Sequence, residues 1–129
     1  MEEAKYINLN TAILEYKKQK LNYKLPVVLG LNGDNKLEFA DLVDLKHLVL
    51  AGQTGSGKSM FEHTIINTFL TLMSSKIELF LVDMKRIEFG VYRDIPQLIS
   101  NIIVESEDFF VKLEKLIEEK ERRLLPEIS

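Results

Sequence analysis

Along this chain the apolar positions switch between helical spacing and short continuous runs. Residues 9–23 place Leu9, Ala12, Ile13, Tyr16 and Lys20 on roughly one face, with Asn10 or Thr11 as a cap, which predicts a short amphipathic helix. The run at 25–31 reads as a strand, 32–35 (Asn-Gly-Asp-Asn) as a tight turn and 36–39 as the returning strand of a hairpin. Pro26 assigns that first strand to a sheet edge. A further short strand is expected over 46–51. After it, Phe61, Ile65, Phe69 and Leu72, widened by Ile66, Leu70 and Met73, form the stripe of a helix over 59–73 that should pack on a sheet. The nearly unbroken apolar run at 77–83 is of the kind buried on both faces of a parallel sheet, so 46–83 reads as a βαβ unit.

Beyond it, 87–92 reads as about one helical turn, Ile95-Pro96 as a break and 98–104 as a third strand. A final helix is capped by Ser106, begins with Glu107 and Asp108, ends with Arg122 and Arg123, and shows Phe109, Leu113, Leu116, Ile117 and Leu124 on its apolar face; Pro126 closes it. The order predicts an α/β fold with a parallel sheet flanked by helices, preceded by a short helix and a β-hairpin.

Between the 46–51 strand and the following helix lies Gly-Gln-Thr-Gly-Ser-Gly-Lys-Ser, residues 52–59, which fits G-x-x-x-x-G-K-[ST]. Such a loop needs glycine wherever the backbone turns left-handed or passes close to an anion. Backbone N–H groups of Gln53, Thr54, Gly55, Ser56, Gly57, Lys58 and Ser59, together with the positive end of the helix, make a nest for a β-phosphate, with Gly52 opening the turn. Lys58 is placed to reach the β- and γ-phosphates and the Ser59 hydroxyl to ligate Mg²⁺. ATP and Mg²⁺ are therefore the expected ligands of Gly52 through Ser59.

Composition changes the picture little: 46% hydrophobic and 29% charged residues describe an ordinary globular domain. The net charge of −3 offers no global attraction for nucleic acid. Lys17, Lys18, Lys20 and Lys24 form a local basic face that either contacts phosphate or is simply solvated. Cysteine is absent, excluding disulfides, thiolate metal sites and thiol nucleophiles, and no run is long enough for a membrane helix, so a cytoplasmic setting is expected. His47 reads as a ligand or base, or more simply as a packing residue. Asp83, after an apolar run, reads either as a Walker B carboxylate or as the end of a strand that orders the loop after it; the residues that follow, Met84, Lys85 and Arg86, lack the adjacent glutamate of many P-loop ATPases.

Taken together, the segments LPVVLG (25–30), ADL (40–42), KHLVLAGQTGSGKS (46–59), VDMKRIEFGVY (82–92), IPQL (95–98) and ERR (121–123) resemble, in order and spacing, the FtsK/SpoIIIE family of DNA translocase motors. The resemblance implies a three-layer, RecA-like P-loop NTPase core that assembles as a hexamer around double-stranded DNA and moves along it. It assigns Gly52 through Ser59 to the nucleotide and Asp83 to the family's D-x-K element, distinct from its Walker B aspartate. Here that D-P-K reads Asp83-Met84-Lys85, and the P-H-L before the loop reads Lys46-His47-Leu48.

The implied organisation is an N-terminal helical segment, 1–24, and a partial ATPase domain, 25–129. The family's Walker B pair, sensor and arginine finger are expected further along than residue 129, as for a fragment or a shortened relative. An isolated chain of this kind is expected to bind ATP, to hydrolyse it at near-background rate and to self-associate. The alternatives are an independent small P-loop NTPase or kinase, or a non-enzymatic fragment that interacts with a full-length translocase.

Overall fold

A computed structural model describes residues 6–53, 55–85 and 88–124. It divides into two compact units, Met1–Ile77 and Glu78–Ser129.

The first unit is mixed α/β. Helix α1 (Leu9–Lys18) is capped by Asn8, whose side chain accepts a hydrogen bond from the Asn10 N–H at 2.8 Å. The cap thus lies before both Asn10 and Thr11, because the Asn8 carbonyl already accepts from the Ala12 N–H. The helix also stops sooner than its apolar pattern does, since Lys20 turns left-handed at φ 54°.

Strands β1 (Pro26–Leu31) and β2 (Leu37–Asp41) form the expected hairpin, antiparallel, with Pro26 opposite Asp41. Its turn is closed by the Asn32 side chain, which accepts from the N–H groups of Asp34 and Lys36, and Asn35 takes the left-handed position. The register shifts between Val28 and Gly30, leaving Leu29 without a cross-strand partner. Asp41 ends β2 and caps the short helix α2 (Leu42–Leu45). Its carboxylate accepts from the N–H groups of Lys24, Leu25 and Val43 at 2.9–3.1 Å, tying the entry of the hairpin to its exit.

Helix α3 (Lys58–Leu72) packs on β1 and α1, and α1 also packs on β2. The core they enclose comprises Ala12, Ile13, Tyr16, Val27, Val28, Ile66 and Phe69. On α3 the fully buried residues are Ile66 and Phe69, both of the expected stripe, and Thr68, which lay outside it; Phe61 and Ile65 are only half-buried. The Thr68 hydroxyl donates to the Thr64 carbonyl at 2.6 Å, which satisfies it inside this core.

The strand expected over 46–51 does not form. Residues 46–53 have no regular structure, and Val49 is 90% exposed. A strand exists only where its N–H and C=O groups meet another strand, and no described residue pairs with this run. The βαβ unit is therefore not present among the described residues.

In the second unit the runs at 77–83 and 98–104 do meet in parallel, but only at two isolated bridges, Leu79 with Leu98 and Val82 with Ile103. Between them Ser100 and Asn101 bend the chain, the Ser100 hydroxyl donating to the Asn101 carbonyl. A 3₁₀ turn spans Gly90–Tyr92; Ile87, the start of the expected turn, lies outside the described residues. Helix α4 (Ser106–Leu124) has the predicted terminal charges, but Ser106 is its first residue and not its cap, since the Glu105 carbonyl already accepts from the Phe109 N–H; none of its residues is fully buried. Arg123 joins its end to Glu78 at 2.6 Å and to Glu119 at 2.9 Å. Hydrogen bonds from Arg122 and Arg123 hold the Glu119 carboxyl down at about 2. Pro126 lies outside the described residues.

Candidate nucleotide site

The loop that leads into α3 is built from glycine geometry. Gly55 and Gly57 have φ of +83° and +96°, where a side chain is strained. At Gly52 a Cβ would run into the Ser56 side chain, so that position admits no larger residue without movement. The Ser56 N–H donates to the Gln53 carbonyl at 3.0 Å and closes the turn. Gly57, as N-cap, brings no side chain to the α3 terminus, and the Phe61 N–H bonds its carbonyl at 3.0 Å. Lys58 is exposed at the first position of the helix, and Ser59 follows it, half-buried. Thr54 lies outside the described residues.

This arrangement has the parts a phosphate needs: a left-handed turn, a helix start with no side chain over it, and a cation beside it. Loop and helix form from local rules, since the glycines permit the turn and the apolar periodicity that begins at Phe61 carries the helix.

Asp83 occupies a different role. It is 7% exposed, and its Oδ2 accepts from the N–H groups of Glu88 and Phe89 at 2.9 and 3.0 Å. Its own N–H donates to the Ile103 carbonyl. The carboxylate thus ends the strand segment and orders the loop after it, the second of the two readings that the residues allowed. His47 is exposed, so it is not a packing residue. Lys17, Lys18, Lys20 and Lys24 are exposed as well. Among the described residues no group of His, Asp and Glu is placed to hold a metal ion by itself, and no helix is long and apolar enough to cross a membrane. The Asp41 clamp escaped the sequence reading, although an aspartate between a strand and a helical turn is a capping signal.

The family model for the FtsK/SpoIIIE family matches residues 8–126, which takes in the glycine loop, the Asp83 turn and α4. The chain belongs to the FtsK/SpoIIIE family. Proteins named DNA translocase FtsK are similar to it in sequence. The one from Chlamydia pneumoniae is 36% identical over 120 residues, covering 91% of this chain and 15% of that protein. Those from Lactiplantibacillus plantarum and Mycobacterium tuberculosis (strain H37Rv) are 38% and 37% identical over 100 and 101 residues, covering 77% and 76% of this chain but 13% and 12% of theirs. The chain therefore spans about a seventh of the length of these FtsK relatives. Membership in the family implies a P-loop NTPase fold, to which the mixed α/β architecture and the glycine loop correspond.

Proposed function

We propose that this chain is the ATP-binding portion of an FtsK/SpoIIIE-type double-stranded DNA translocase. The observation that carries the reading is the 52–59 loop, whose two left-handed glycines deliver Lys58 and Ser59 to the start of α3 in a chain of this family. What supports the nucleotide there is the left-handed turn at Gly55 and Gly57 and an α3 terminus whose capping residue has no side chain. Backbone N–H groups of residues 53–59 hold the phosphates, Lys58 neutralises their charge, and the Ser59 hydroxyl serves Mg²⁺. When bound, ATP–Mg²⁺ supplies the anhydride bond whose hydrolysis powers such a motor. In this reading 1–24 is an N-terminal helical segment and 25–129 the nucleotide-binding portion of a three-layer, RecA-like core, working in the cytoplasm as part of a hexamer on DNA.

Calorimetric titration of ATP–Mg²⁺ into the chain and into Lys58→Ala tests it. Lys58→Ala should lose most of the binding, since it removes the charged donor at the loop; equal affinities would overturn the assignment.

A further inference from the structure

The first unit also holds an open cleft of about 940 Å³ that phosphate binding leaves unused. Tyr6 and Ile7 ahead of α1, Leu29 and Gly30 of β1, and Phe61 and Thr64 of α3 line it. Phe61 and Thr64 follow Lys58 on the same helix, so at the α-helical rise they stand about 4.5 and about 9 Å along its axis from the phosphate-binding lysine. The cleft thus begins one helical turn from the loop.

Its chemistry differs from the loop's. No charged residue lines it among the described residues, so it is not a second anion site. It is instead partly apolar and carries two aromatic rings, that of Tyr6 being 96% exposed and that of Phe61 half-buried. Leu29, at the register shift of β1, adds an apolar side to the cleft wall. A flat ring system suits such a surface, since aromatic side chains can take its faces.

We propose that this cleft receives the nucleobase of the nucleotide whose phosphates the 52–59 loop holds, with Tyr6 and Phe61 as its aromatic contacts. The proposal rests on the phosphate-binding reading above. It makes the segment before α1 and the hairpin part of the nucleotide site, and it gives the chain a means of preferring a nucleoside triphosphate over a bare polyphosphate.

The test compares ATP–Mg²⁺ with inorganic tripolyphosphate–Mg²⁺, which has the phosphates and no base, by titration into the full 129-residue chain. Wild type should bind ATP more tightly. Tyr6→Ala and Phe61→Ala should each weaken ATP by about fivefold or more, the loss expected for one base–aromatic stack, and leave tripolyphosphate unchanged. Wild-type ATP affinity in both variants, with Lys58→Ala still losing both ligands, would overturn the cleft while sparing the phosphate site. If neither ligand binds wild type, the phosphate reading falls and this proposal with it. Should Phe61→Ala lose both ligands through misfolding, Tyr6→Ala decides, because removing a ring so exposed leaves the core intact.

Discussion

In the first unit the apolar residues of α1, β1 and α3 close over one another, so that Ala12, Ile13, Val27, Ile66 and Phe69 are all at most 6% exposed; in the second, α4 buries nothing completely, and Phe110, Val111, Ile117 and Leu124 stay open. Both units draw on strongly apolar runs. The difference lies in how their strands find partners. A hairpin needs only a turn, and Asn32 and Asn35 supply one, so β1 and β2 pair from local chemistry and give α1 and α3 a surface to cover. Parallel segments must be brought together from a distance and are stable when covered on both faces; here the two segments meet at two bridges through backbone hydrogen bonds of Leu79, Leu81 and Asp83 with Gln97, Ile99 and Ile103, and side chains add ties at their ends, Asp83 to its loop and Arg123 to Glu78. Exposed ion pairs of the latter kind are worth about 0–1 kcal/mol each.

Removing a core ring should break this contrast most strongly. Phe69→Ala in α3 should cost about 3–5 kcal/mol, read as a lower urea midpoint by circular dichroism. A loss below about 1 kcal/mol would show that the first unit has no closed core.

The tie in the second unit comes next. Asp83→Ala removes the Oδ2 acceptor of the Glu88 and Phe89 N–H groups, at about 1–3 kcal/mol, and those amides should exchange hydrogen faster. Asp83→Asn keeps an acceptor oxygen and should fall between the two. Unchanged exchange in both variants would mean that the carboxylate does not order this loop.

The smallest effect sharpens the comparison from the hairpin side. Desolvation pushes the Asp41 carboxyl up, but hydrogen bonds from the Leu25, Lys24 and Val43 N–H groups, with the charge of Lys24, hold it below its ordinary 3.8. A carboxyl lowered by folding stabilises the fold fully above its unfolded pKa and loses that contribution as pH falls through the lower folded value. Stability should therefore decline below about pH 4 in wild type, and Asp41→Asn should show a flatter decline over the same range. Identical acid profiles would remove Asp41 from the hairpin's support.

The sequence by itself determined what depends on neighbours along the chain: the glycine loop and its register on α3, the hairpin with its Asn-rich turn, and the span of α4 with acids at one end and arginines at the other. Those features rest on dihedral freedom, capping and periodicity, each legible within a few residues. Tertiary structure decided the rest. The 46–51 run has the composition of a strand yet has no paired neighbour among the described residues, and of the α3 stripe only Ile66 and Phe69 are fully buried, with Thr68 beside them, where the helix packs on β1 and α1. Asp83 admitted two roles until the N–H groups of Glu88 and Phe89 met its oxygen. The cleft beside Phe61 had no signal at all, since its walls come from segments far apart in the chain, and only folding sets Tyr6, Leu29 and Thr64 around one space.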